Sequence, residues 1–235
     1  MVYYSFAETK NHMYLLYSFY HADDTTHPND MEGCLIILEK PEKLLGMMTV
    51  AHNKIPKYAY QNNLAQKNGE NIKKLLVEYE EDEIHPLVEQ ESGKHGMYGL
   101  GKSSSTEIKV WRTLKIVFGQ YQDKIVYFPG GKAKPYDIEQ LKQYVGTPHY
   151  PTFYYDLVYI HDNKDGLVYR RDSFPNSTFQ NNGKFHHDAA NPPWLWKYEG
   201  LSLWENPAEL ADKLFVTKGK DFDLEYVSKM DDGIS

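Results

Sequence analysis

Near its start the chain gathers its apolar and aromatic positions into short β-rich runs separated by polar ones, the pattern of strands joined by turns. VYYSFAE and HMYLLYSFYH are two such runs, and ETKNH between them supplies a turn, so the chain opens as a β-hairpin. The loop ADDTTHPND follows, then the strand MEGCLIILEK, the polar turn EKPEK and the strand LLGMMTVAHN, which would pair with CLIIL as a buried antiparallel ladder. Residues Gln61 to Asn68 are polar and irregular, and NIKKLLVEYEEDE is mixed in character. IHPLVEQESGKHGMYGLG reads as a strand ending in a loop where Gly93, Gly96, Gly99 and Gly101 permit sharp turns. KVWRTLKIVFG, DKIVYFPGG and PTFYYDLVYIHD are further strands, DIEQLKQYV is a short helix with an acidic start, and Arg170 to Asn191 is loop-like. NPAELADKLF predicts a helix with Asn206 as N-cap and Pro207 at its first position, and the closing KMDDGIS is expected to fray. With no internal repeat and no low-complexity linker, the pattern predicts one domain spanning residues 1–235. It is all-β, a β-sandwich of mainly antiparallel strands with one or two peripheral helices.

Composition agrees with that class. The chain has 235 residues, 41% of them hydrophobic, which is enough for a real core. Tyr supplies 20 of the aromatics, and Tyr suits strands and half-wet surfaces. A net charge of -7 without a basic stripe argues against nucleic acid as a partner and against charge-driven adhesion to an anionic membrane. No apolar stretch is long enough for a transmembrane segment. The single cysteine, Cys34, lies inside CLIIL and reads as a small core residue, which leans towards a reducing compartment. MVYYSFAETK lacks the features of a signal peptide, so the expected location is the cytoplasm, or the outside for a mature chain whose leader has been removed.

Chemistry concentrates after the first hairpin, in YSFYHADDTTHPNDMEG. His27, Asp30 and Glu32 form an H-x-x-D-x-E pattern preceded by Asp24. If Asp30 and Glu32 open the strand that continues as CLIIL, both carboxylates share one face while Met31 and Gly33 point the other way. Two carboxylates held close repel each other unless one takes a proton or a cation intervenes. Oxygen-rich donors with one or two imidazoles suit Ca²⁺, Mg²⁺ or Mn²⁺ better than a tetrahedral structural zinc. The plainer alternative is a Pro-containing turn with solvated charges. His95, in SGKHG, has little local packing to serve and is a further candidate for the same site. His186, His187 and Asp188 form a polar cluster that could rim it. Trp194 and Trp196 alternate, so one ring could pack inward while the other covers the surface; an exposed Trp194 could stack on a sugar, although core packing is the better reading. Ser103 to Ser105 lack a nucleophile-elbow setting and Cys34 lacks polar neighbours, so a nucleophilic hydrolase is poorly supported.

YSFYHADD followed by HPNDMEG resembles the core of the necrosis- and ethylene-inducing peptide-like proteins. There a Y-S-W-Y strand ends in an Asp and is followed by G-H-R-H-D-W-E; a related vacuolar-sorting-like group carries H-E-G-D-W-E. The resemblance aligns Asp24 with the terminal acid, His27, Asp30 and Glu32 with the His, Asp and Glu of the heptapeptide, and His95 with a distal histidine. PPWLWKYEG and ENPAEL resemble the end of some vacuolar-sorting-like relatives. Met31 stands where the family has Trp, Pro28 and Asn29 stand for Arg-His, and no disulfide pair is present, which brings the chain nearer to the vacuolar-sorting-like branch. The resemblance implies a β-sandwich with a divalent cation in an acidic surface cavity, lined by Asp24, His27, Asp30, Glu32 and His95; His186, Asp188 and Trp194, singled out above from their own setting, are the candidates for ligand contact.

Three functions follow as expectations. The ion holds a glycan or lipid head group; or it activates a water for hydrolysis, with Glu32 or His27 as general base; or it only ties the loop to the sandwich.

Overall fold

The computed structural model describes residues 2–23, 28–52, 54–69, 71–80, 83–90, 95–100, 126–129, 152–155, 157–160 and 193–230. These are mostly strand, and the fold is all-β. The strands β1 (Val2–Thr9), β2 (His12–Asp23), β3 (Pro28–Glu39) and β4 (Lys43–Thr49) form an antiparallel meander, as the β-rich runs of the sequence predict. β5 (Lys57–Ala59) adds to β4, a short β6 (Leu64–Gln66) leaves the sheet, and β7 (Ile72–Lys74) returns parallel to β5. At the other edge, β14 (Leu157–Tyr159) runs parallel to one end of β1 while β18 (Tyr226–Ser228) pairs antiparallel with the other end, completing an eight-stranded mixed sheet.

Side chains alternate across this sheet. One face carries Tyr3, Tyr14, Leu16, Met31, Leu35, Ile37 and Met48, all buried. It is covered by the C-terminal part of the chain: a 3-10 turn (Pro193–Leu195), the small hairpin β15 (Lys197–Tyr198) and β16 (Leu201–Ser202), and the helix α1 (Pro207–Leu214). α1 turns Ala208, Leu210, Ala211 and Leu214 inward, and β17 (Phe215–Thr217) continues it to pair with β6. The opposite face carries Tyr17, Phe19, Cys34, Ile36, Leu38, Met47 and Tyr58. It is covered by two short ladders, β8 (Val77–Glu80) with β9 (Glu83–Pro86) and β10 (Val88–Gln90) with β11 (Met97–Gly99), which bring Val77 and Val88 onto it. The layer over this face is therefore built, among the described residues, of two-stranded ladders and no continuous second sheet. Apart from these, β12 (Val126–Pro129) pairs parallel with β13 (Thr152–Tyr155).

Gly33 shows why MEG has no larger residue at its third position. A Cβ there would lie 2.4 Å from the Trp196 ring and 2.1 Å from the Tyr17 carbonyl oxygen. The indole of Trp196 thus packs against the β3 backbone at Gly33, next to the carboxylate-bearing positions.

At the hairpin-turn end the C-terminal strap (218–230) staples the sheet. Asp223 accepts the backbone N–H of Lys10 and of Asn11, each at 2.9 Å, and the Thr9 hydroxyl at 3.1 Å. The Lys220 N–H reaches the Glu39 carboxylate at 3.2 Å, and Ser5 Oγ donates to the Met230 carbonyl at 3.1 Å. Under the strap His12 is fully buried, its ring 4.8 Å from that of Phe222 and its Nδ1 3.7 Å from Asp223 Oδ2. Burial holds the His12 pKa below the ordinary imidazole value, with Asp223 pulling the other way. Burial would raise the Asp223 pKa, but its three donors outweigh it and hold the carboxyl low.

Several expectations change. β3 begins at Pro28, so Pro28–Asp30 belong to the strand and the loop after β2 is shorter than ADDTTHPND. Part of the polar Gln61 to Asn68 stretch becomes β6, because β17 offers it a partner. Asn206 occupies the N-cap position without a side-chain cap; its carbonyl accepts the Leu210 N–H at 2.9 Å and its own N–H donates to the Ser202 carbonyl at 3.0 Å. Met230 is buried, not frayed. The expected helix DIEQLKQYV and strand KVWRTLKIVFG lie outside the described residues.

Gly33→Ala is expected to lower stability by about 1–3 kcal/mol, the usual cost of overpacking, with a shifted Trp emission; an unchanged urea midpoint would contradict the close approach of Trp196. Stability should also fall with acid in two steps. Below about pH 6.5 the unfolded chain protonates His12, which the fold keeps neutral, and below about 3.8 it protonates Asp223, which the fold keeps ionised. Urea midpoints measured from pH 8 to 3 read both, and His12→Gln should flatten the first step alone.

Candidate functional site

The end of the sheet opposite the strap carries the acids. In β3, Asp30 and Glu32 are two residues apart and share the face of Cys34 and Ile36. Across the ladder in β2, His21 lies opposite Asp30 and Phe19 opposite Glu32, so these side chains share that face too. Both carboxylates are deeply buried, Asp30 at 4% and Glu32 at 2% exposure. A carboxylate in such a place needs donors or a positive charge beside it.

The chain supplies donors by bringing two loops to the strand end. β4 runs antiparallel to β3 and ends opposite Cys34, and the chain continues alongside β3: the Val50 N–H bonds the Gly33 carbonyl at 2.8 Å, and beyond it the His52 N–H reaches Glu32 Oε1 at 3.3 Å. The Val50 carbonyl in turn accepts the Met97 N–H at 2.8 Å, which anchors β11 and the residues just before it. His95 comes in on that approach, its Nδ1 3.2 Å from Asp30 Oδ2, and when Nδ1 carries the proton it donates to the carboxylate. Both histidines stand on left-handed backbone, φ 56° at His52 and 59° at His95. Such a conformation in a non-glycine residue costs on the order of 1 kcal/mol and persists only where its surroundings hold it. The ring of His95 stacks on that of His21, centroids 4.0 Å apart and planes 13° from parallel. Gln90 Nε2 lies 2.5 Å from His21 Nε2.

Of the residues singled out from sequence, Asp30, Glu32 and His95 come together here. Asp24 and His27 lie outside the described residues, as do His186, His187 and Asp188. Trp194 is no surface shelf: it is 6% exposed, belongs to the large core and meets Trp204 edge-on at 6.3 Å. Trp196 is buried as well, at 2%. The expected split, one ring in and one out, fails because Trp194 sits in the 3-10 turn, closed by the Trp196 N–H on the Pro193 carbonyl, and both rings roll onto the same core. Three contributors were not foreseen: His21, Gln90 and the backbone of His52. The alternation Tyr17, Phe19, His21 gives the first of these once the hairpin register is fixed; nothing local signals the other two.

Among the described residues no three His, Cys, Asp or Glu side chains gather in a geometry that holds a metal ion. No helix among them is long and apolar enough to cross a membrane. No family model matches this chain, and no curated protein or solved structure is similar to it. The site must be read from its own side chains.

On that face Cys34 is 3% exposed, and burial pushes its thiol up to about 12. Native protein at pH 8 should therefore leave an aromatic disulfide reagent unreacted until urea unfolds it; rapid labelling without denaturant would show an open path to Cys34.

Proposed function

We propose that this chain is a divalent-cation-binding protein, related to the necrosis-inducing and vacuolar-sorting-like proteins, whose ion presents a hydroxyl-rich head group of a glycan or lipid. The observation that carries the reading is the buried carboxylate pair Asp30 and Glu32 with the His95 ring 3.2 Å from the first of them. These three do not by themselves gather into an ion-holding group, but oxygen donors with an imidazole are the donor types that suit a hard cation. Asp24 and His27, in the connection between β2 and β3, would complete it, as the resemblance implies. When bound, Ca²⁺, Mg²⁺ or Mn²⁺ supplies positive charge between the carboxylates and open positions for oxygen atoms of a ligand.

The remaining work falls to this chain's own groups. The His52 N–H fixes one oxygen of Glu32, and His95 sets the plane of Asp30. Phe19, half-buried and on the same face as Glu32, gives the carboxylates an apolar wall. The short ladders β8 to β11 would then be part of the second layer of a β-sandwich. With Trp194 in the core, ligand selectivity would come from the ion and the loops around it.

Calorimetry on metal-stripped protein tests the reading, with Ca²⁺, Mg²⁺ and Mn²⁺ against wild type and Asp30→Asn. Saturable binding to wild type, lost in Asp30→Asn while circular dichroism stays native, is the expected result. No heat with any ion, or undiminished binding in the variant, would overturn it. With the binding ion identified, glycolipid vesicles, vesicles lacking the sugar and the free glycan separate a lipid-borne from a soluble head group; capture should vanish in chelator.

A further inference from the structure

We propose that Gln90 and His21 act as positioning residues, holding the His95 ring against Asp30. This rests on the reading of Asp30 and Glu32 as ion ligands, but on different atoms. His95 enters on left-handed backbone, tied to the rest of the sheet through Met97 and Val50. Its ring must still be turned so that Nδ1 meets Asp30 Oδ2 at 3.2 Å. A histidine beside a metal site is ordinarily aimed by a partner on its second nitrogen. The ring face is supported as well: His21 lies parallel beneath it, 4.0 Å away and 13° from parallel. His21 is itself fixed at both ends. Its backbone sits in the long β2–β3 ladder, directly opposite Asp30, so the ring that supports His95 and the carboxylate that receives it have a set spacing.

The free end of the His21 ring is held by Gln90, whose amide nitrogen is 2.5 Å from Nε2. An amide NH₂ only donates, so His21 Nε2 accepts and the ring proton sits on Nδ1. Gln90 pairs in register with Met97, two residues beyond His95. One short ladder thus carries both the group that holds His21 and the residue that His21 positions. Gln90, His21, His95 and Asp30 form a closed relay from β10 through β2 and the approach to β11 onto β3. A displaced ladder would lose His95 from the acids even with every candidate ligand intact.

The test compares His21→Phe, His21→Ala and Gln90→Leu with wild type, by ion calorimetry and by nitrogen-15 NMR of the histidine rings in metal-stripped protein. His21→Phe keeps the flat face and should bind within a few-fold of wild type. His21→Ala and Gln90→Leu should weaken binding roughly 10- to 100-fold, the usual effect of removing a supporting group. In wild type His21 should appear as the Nδ1–H tautomer, and Gln90→Leu should release it to a mixture and shift the His95 resonances. Wild-type affinity in all three variants would overturn the proposal. So would equal losses in His21→Phe and His21→Ala, which would make His21 a direct ligand. If wild type binds no ion, the cation reading falls alone, provided the His95 resonances still move in Gln90→Leu; unmoved resonances would sink the positioning role as well.

Discussion

Everything in this molecule depends on the register between β2 and β3. The ladder runs from His12 opposite Glu39 to Asp23 opposite Pro28. Because strand side chains alternate, it decides at once that Met31 and Leu35 enter the large core while Asp30, Glu32, Cys34 and Ile36 face the smaller one. A slip of one residue would drive both carboxylates under the tryptophan-rich C-terminal cover and turn Met31 and Leu35 the other way. Two deep hydrophobic clusters on opposite faces make that slip prohibitive, since each holds the register the other requires. The acids owe their position to apolar packing elsewhere on the same strand.

The two ends of that ladder are finished differently. At the turn end, hydrogen bonds from the strap close the hairpins, and the ionisable groups there have partners of stabilising sign: Asp223 with three donors, Glu39 with the Lys220 N–H, and Lys40 with Glu8. At the acid end, the His52 N–H meets Glu32 and the His95 ring meets Asp30, and both histidines stand on left-handed backbone. Gly33 and Trp196 stand between the two regimes. The indole seals the large core across the very stretch of β3 that carries Asp30 and Glu32, which keeps the carboxylates pointing one way and stiffens the strand beneath them.

Much of the scaffold was legible in the sequence because the signal is local. The β-rich runs VYYSFAE and YSFYH and the apolar run CLIIL give the meander, and the alternation of side chains along a strand places Asp30 and Glu32 on one face. What stayed hidden depends on contacts between distant segments. Leu64–Gln66 becomes a strand only because Phe215–Thr217 comes alongside, so its polar composition misleads. Trp194 and Trp196 defeat a simple inside-outside rule because a 3-10 turn replaces strand geometry at that point. Gln90 has no motif to betray it, since its partner His21 is 69 positions away. His21 was closer to view: the hairpin register alone puts it across from Asp30, but only when the strand is known to start at Pro28.

The acid end is a poor way to stabilise a sheet. Buried charge is stabilising only where its partners recover the lost hydration, and replacing a buried ionic cluster by apolar residues of like volume is often neutral or favourable. Asp30 and Glu32 sit on the face that, a few residues further along β3, is already packed with Cys34, Ile36 and Leu38. Apolar residues at those two positions would simply extend that cluster to the strand end. Instead the chain places two carboxylates there, brings two left-handed histidine positions to them, and arranges a stacked ring and an amide behind one of those histidines. Each of these arrangements costs something in the absence of a ligand, through desolvation or backbone strain. A bound divalent cation would reverse the sign of the electrostatic part, because both carboxylates would then face positive charge at short range. On the proposed reading, the cluster is a cost that folding tolerates and cation binding would offset, held in place by a ladder whose stability comes from the apolar residues on either side.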